Sequence, residues 1–308
     1  MKARLFRSLL AIYLLVMSSM QATHRPHSQP FVSGDSFRAI ADHIFDETTP
    51  RFDASQVRAG DVIFINLSHQ EAFFSQVHPK IREPYILISH NHDYSAPGKY
   101  RSFLDDEKLI LWLTQNPDLV GHPKLVPIPI GLSNKHWNHS KAHDLKIAEM
   151  QKALRVRRPA KKYLLYVNFN VHTNPSVRQP VYEYFMRLPF CSWVANRPYP
   201  EYLFEMAQAK FVLSPHGGGL DCHRTWEALY VGSFPLVKTS TLDPIYQDLP
   251  VLIVQDWSEI SPEFLEEKYA EMRMKTYNFD ILYFDYWYKL IKKAQEPYKQ
   301  PANKGEMQ

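Results

Sequence analysis

The chain has 308 residues, 45% of them hydrophobic and 22% charged, a globular composition that excludes a disordered protein and fits one large domain or two ordinary ones. Its formal net charge of +4 is too small to point to nucleic acid without a localised basic patch. Two cysteines, Cys191 and Cys222, exclude a disulfide scaffold and a cysteine-built metal site and leave room for one bridge.

Lys2, Arg4 and Arg7 precede an apolar run from Leu9 to Met17 and small residues around Ala22. Residues 1–22 therefore read as a signal peptide, or as an uncleaved N-terminal anchor, because Met20 stands where cleavage prefers a small side chain. Asn66-Leu67-Ser68 and Asn138-His139-Ser140 have the form of glycosylation sequons. Past a polar stretch ending near Asp35, apolar runs occur at Asp61–Asn66, Tyr85–His90 and Lys124–Ile130, the last interrupted by prolines. Such runs with other elements between them predict parallel strands covered on both faces. Asp105-Asp106-Glu107 opens a helix or loop. The spacing predicts a helix over Ala142–Val156.

Arg155 to Lys162 is a charge run with one proline, read as a solvated linker and a domain boundary between 35–156 and 160–275. Beyond it, Tyr163–Asn168 reads as strand and Val177–Arg187 as helix. Lys210–Leu213 reads as a strand, Asp221–Val231 as a helix stopped by Gly232, and Phe234–Val237 as the next strand, together a βαβ unit of about 28 residues. Val251–Val254 is one more strand. Pro262–Lys293 reads as helical and aromatic, with Tyr283, Phe284, Tyr286, Trp287 and Tyr288.

The loop of the βαβ unit holds Gly217, Gly218 and Gly219, three of only ten glycines, where backbone amides and a helix start face an anion. At about 100° per residue, Cys222, Trp226, Leu229 and Tyr230 share a face that should be buried, while His223, Arg224 and Glu227 share the adjacent one. Arg224 fits a diphosphate clamp and Glu227 an acceptor of ribose hydroxyls. A surface ion pair between the two is the plain alternative. Asp221 puts negative charge where an anion is wanted, unless it caps the helix. His216-Gly217-Gly218-Gly219 matches an esterase oxyanion tetrapeptide, but no Gly-x-Ser-x-Gly follows, and no Gly-Lys-Ser/Thr makes it a phosphate-binding Walker loop.

"SPHGGGLDCHRTWEALYVGSFPLV", from Ser214 to Val237, resembles the C-terminal signature of exostosin-like glycosyltransferases. Ser214, Pro215, Gly217, Gly219, Asp221, Arg224, Glu227, Ala228, Gly232 and Pro235 match it in order and spacing. "KLVPIPIGLSNKHWNHS" and "YILISHNHD" resemble N-terminal segments of related sequences more weakly. The resemblance implies an α/β chain of GT-B type: two Rossmann-like domains facing across a cleft, with residues 276–295 packing back on the first. It implies a nucleotide-sugar donor bound without metal or other cofactor, a glycan or glycoconjugate acceptor, and no nucleic acid. Donor contacts fall to Asn168, Arg178, Ser214, His216, Gly217, Gly218, Gly219, Arg224 and Glu227.

An inverting transfer also needs a base, expected at a strand end of the first domain. There "SHNHD" offers Asp93, His92 and His90. His90 and His92 also have the spacing of a metal pair, without companion ligands in the sequence. A catalytically idle carbohydrate-binding relative and a metal-dependent hydrolase on His90 and His92 stand as the alternatives. Since nucleotide sugars are found in the cytosol or Golgi lumen, the N-terminal segment predicts a lumenal or membrane-held enzyme.

Overall fold

In the computed structural model, which describes residues 25–194 and 196–299, the apolar runs become strands of two five-stranded parallel sheets. The predicted signal or anchor segment lies outside the described residues. Among those described, no helix is long and apolar enough to cross a membrane.

The first sheet contains β1 (His43–Phe45), β2 (Asp61–Asn66), β3 (Tyr85–His90), β4 (Leu109–Thr114) and β5 (Leu125–Pro127), ordered β1-β2-β3-β4-β5. Every residue of β2 and β3 is buried, which is why both read as unbroken apolar runs. Their side chains alternate between faces: Val62, Phe64, Ile86 and Ile88 enter one cluster, and Ile63, Ile65, Tyr85 and Leu87 another. The helix α1 (Gly34–Arg38) lies before this sheet and α2 (His143–Val156) after it.

The second sheet contains β6 (Tyr163–Val167), β7 (Cys191–Trp193), β8 (Ala209–Leu213), β9 (Phe234–Lys238) and β10 (Leu252–Val254). Its order is β10-β9-β8-β6-β7. The chain steps outward from β6 through α3 (Pro175–Phe185) to β7. It then returns through α4 (Tyr199–Ala207) to β8 on the other side of β6, and continues by α5 (His223–Tyr230) to β9. The order therefore reverses between β6 and β8, the place where doubly wound sheets open a crevice for ligands. The first sheet has no such reversal, so only the second has the winding that the resemblance implied for both.

One buried cluster joins the two sheets, running from Phe37, Phe64 and Ile88 to Tyr166, Val212, Trp226 and Tyr230. The tail folds back onto the first sheet's side. Phe37 meets Phe284 and Trp287 at ring-centroid distances of 5.3 and 6.2 Å, and Gln295 Nε2 donates to Gly60 O at 2.7 Å.

Several sequence expectations need correcting. Leu109–Thr114, which the sequence reading passed over, is an inner strand, β4. Lys124–Ile130 narrows to Leu125–Pro127, as prolines cannot donate to a ladder. Pro262–Lys293 divides into α6 (Pro262–Met272) and α7 (Phe284–Gln295); on α7 only Phe284 and Trp287 of the aromatics are buried, while Tyr286 and Tyr288 are exposed. The linker is not wholly solvated. Lys161 Nζ donates to Ala207 O, Gly232 O and Ser233 Oγ, tying down the ends of α4 and α5, and burial lowers its pKa to about 8. Cys191 and Cys222 are free thiols.

Candidate functional site

The glycine loop follows β8 and none of its three glycines has a positive φ. Close approach explains them instead. A Cβ on Gly217 would stand 3.1 Å from Arg178 Nη2, one on Gly218 would run into Asp93 Oδ2, and one on Gly219 would stand 2.6 Å from Asn116 Nδ2. Three different elements thus press on three successive residues. Asp93 and Asn116 follow β3 and β4, so the loop is where the edges of the two sheets meet. After β3 and β4 the chain turns through asparagines in the left-handed region, Asn91 at φ 63° and Asn116 at φ 52°, a conformation asparagine tolerates better than most residues.

Beside the loop, at the carboxyl ends of β6 and β8, lies a cavity of about 370 Å³. Its walls include Asp93, Asn168, Phe169, Arg178, Gly217, Gly218, Gly219, His223, Arg224 and Glu227. Sequence-predicted residues from the two halves are thereby brought together.

The arginines set the charge. Arg178 is 4% exposed and donates from Nε to His216 O, from Nη1 to Asn170 O and from Nη2 to Pro215 O, at 3.0, 2.8 and 3.3 Å. Arg224 donates from Nε to Asn168 O at 2.8 Å and from Nη1 to Ser214 Oγ at 3.5 Å. Both guanidiniums lie 5.6 Å from the ring centre of Phe169. Among the described residues neither has a carboxylate within ion-pair distance, so no Arg224–Glu227 surface pair forms. Burial and the neighbouring Arg224 push Arg178 below the usual arginine range.

Glu227 is 6% exposed and accepts hydrogen bonds from Tyr199 Oη at 3.0 Å and Tyr202 Oη at 2.9 Å. Each carboxylate oxygen keeps a lone pair for a ligand hydroxyl. Asp221 is not the helix cap. Its carboxylate accepts from Ile130 N at 2.7 Å, Cys222 N at 2.8 Å and Trp226 Nε1 at 2.8 Å, while its own amide donates to Asn116 Oδ1. It therefore bolts the two halves together, and burial pushes its pKa up to about 6.

The three base candidates separate. Asp93 is exposed and lines the cavity. His92 does not line it; its ring packs on Tyr94 at 4.1 Å. His90 is 1% exposed, accepts Asn91 N–H at Nδ1 (2.8 Å) and reaches Pro129 O from Nε2 (3.1 Å). With both ring nitrogens used it is a structural residue, unable to take a substrate proton or pair with His92 on a metal. Burial lowers its pKa to about 4. Among the described residues no group of three or more His, Cys, Asp or Glu is placed to hold a metal ion. Ser214 and His216 line a neighbouring hollow of about 340 Å³ together with Trp257 and Tyr246.

Sequence reasoning passed over the roles of Phe169, Tyr202 and His223. His223 carried a signal, since helical spacing already grouped it with Arg224 and Glu227. Tyr202 had none, because α4 is contributed by a different part of the winding. The chain matches no protein-family model and no curated protein. Among solved structures it is similar to the crystal structure of the GtfA/B complex at 13% identity and a TM-score of 0.37, over 79% of this chain and 59% of that one. A score that low supports no inference about fold or chemistry.

Proposed function

We propose that the protein is a glycosyltransferase of exostosin-like, GT-B type. It would move a sugar from a nucleotide-sugar donor to a hydroxyl of a glycan or similar acceptor, inverting the anomeric centre and needing no metal. The observation that carries this reading is the pair of guanidiniums at one cavity, at the reversal point of a parallel sheet, with no carboxylate within ion-pair distance of either among the described residues. A pair of this kind suits a diphosphate.

In this reading Arg224 binds the diphosphate. Arg178 holds the glycine loop in place and adds its charge to the field. Glu227 takes the ribose hydroxyls and Asn168 flanks the nucleotide. Asp93 belongs to the acceptor side, where the first sheet's edge reaches the cavity. The match of Ser214 through Pro235 to the exostosin-like signature supports the same assignment. A binding relative without turnover would keep the cavity but leave donor sugars intact. Residues 1–22 would hold the enzyme in a Golgi-type lumen or at a membrane, where nucleotide sugars are within reach.

A thermal-shift series with UDP-, GDP- and CMP-sugars tests the reading, because a donor at 100 times its Kd adds about 2.7 kcal/mol of stability. Arg224→Ala should weaken binding of the matching nucleoside diphosphate by roughly 10- to 100-fold in calorimetric titration, from a charge-assisted hydrogen bond of about 1.5–3 kcal/mol. Unchanged affinity in the folded variant would remove the clamp.

A further inference from the structure

His223 opens α5 and lines the cavity beside Arg224. Its Nδ1 lies 2.7 Å from the carbonyl oxygen of Gly131, so Nδ1 carries the proton and donates it. Nε2 therefore holds the free lone pair, and among the described residues nothing stands within hydrogen-bond distance of it. The anchoring carbonyl is itself fixed. Gly131 has φ 63°, a Cβ there would collide with Val32 O, and Leu132 N donates to that same oxygen at 2.8 Å.

A backbone carbonyl on one nitrogen and an open lone pair on the other is how a histidine is oriented for proton transfer. His90, three residues before Asp93, has its second nitrogen taken; His223 does not. Successive helical residues diverge by about 100°, so His223 and Arg224 present a base and a cation to different parts of one cavity. The titratable groups facing His223 are Glu227 on its own helix, Asp93 beyond β3, His139 and His143 before and in α2, and His90 at the end of β3. Burial, together with the neighbouring histidines, keeps the ring neutral at pH 7, while Glu227 and Asp93 favour its charged form.

We propose that His223, rather than Asp93, is the general base of the transfer, an assignment that rests on the transferase reading above. Nε2 takes the proton of the acceptor hydroxyl as that oxygen bonds to the anomeric carbon. The bond from that carbon to the phosphate oxygen breaks, and its electron pair leaves with the diphosphate, whose charge Arg224 and Arg178 offset. Asp93 and Glu227 stabilise the imidazolium, which returns its proton to water at the Asp93 side of the cavity.

His223→Asn tests this, because its amide can still donate to Gly131 O but has nothing at the Nε2 position. With the UDP- or GDP-sugar that stabilises the wild type, the variant should bind the nucleoside diphosphate within about 3-fold of normal. Turnover should fall roughly 10²–10⁴-fold and the acidic limb of the pH–rate profile should disappear. Imidazole added to His223→Ala should restore part of the rate. Asp93→Asn should keep that limb, moved to lower pH, and lose less than about 10-fold. Normal turnover in His223→Asn, or loss of the limb in Asp93→Asn alone, overturns the base assignment while leaving the donor site standing. A wild type that binds none of these sugars overturns the transferase reading, and this proposal with it.

Discussion

The carboxyl edges of the two sheets are both crowded with polar side chains, and they treat them in opposite ways. At the first edge the groups satisfy one another: Asp35 accepts from His136 Nδ1 at 2.6 Å, Asn134 Nδ2 donates to Asn91 Oδ1 at 2.8 Å, and Asn66 Nδ2 donates to Glu47 at 3.0 Å. At the second, Arg178 and Arg224 are held by carbonyls and a hydroxyl that fix their positions, and among the described residues neither guanidinium is closed off by a direct ion pair. A closed network stabilises a fold; an open one with residual charge binds something. The winding accounts for the difference. β6 and β8 diverge from a reversal and leave a crevice, whereas β1 to β5 follow in order.

The sharpest way to break the contrast is to separate the two arginines. Arg178→Ala strands the carbonyls of His216, Asn170 and Pro215 and should cost about 3 kcal/mol of stability in denaturant titration. Arg224→Ala should leave the midpoint nearly unchanged and lose anion affinity instead. Equal stability losses from both would mean that neither is a ligand group.

The glycines give a finer comparison. Gly219→Ala drives a methyl into Asn116, which is fully buried and bonded to Asp221 N and His92 O, and should destabilise by about 1–3 kcal/mol. Gly218→Ala meets only the side chain of exposed Asp93, which can swing aside, so its stability should match the wild type within about 0.5 kcal/mol. Reversed ranking of the two melting curves would contradict the close-approach account.

The smallest effect is a cancellation with pH. His90 titrates near 4 in the fold against 6.5 as an ordinary imidazole, so the folded chain binds fewer protons and loses on the order of 3 kcal/mol as pH falls from 6.5 to 4. Asp221 titrates near 6 against 3.8, so the folded chain binds more protons there and gains a similar amount over the same acidification. Together they should nearly cancel between pH 6 and 4. Asp221→Asn should therefore steepen the acid loss of stability, and His90→Gln should flatten or reverse it; parallel pH profiles for all three proteins would refute the opposition.

Local pattern determined much of this protein. Unbroken apolar runs marked β2, β3 and β8 because both faces of a parallel strand are buried, and the 3.6-residue period placed His223, Arg224 and Glu227 on one face of α5. Gly232, at φ 76°, ended that helix as read, because only a residue without Cβ adopts such a turn freely. Tertiary structure alone decided the rest. The sequence order of β6, β7 and β8 says nothing of the reversal that opens the cavity. It also could not tell His90 from His223: both are histidines at element ends, each with a nitrogen at a backbone carbonyl. The difference lies in Asn91 N and the cavity, neighbours that spacing cannot supply. Nor could it show that Asp221 turns inward to Ile130 while Asp93 faces the cavity, because a carboxylate's role depends on which donors from the other half of the chain arrive beside it.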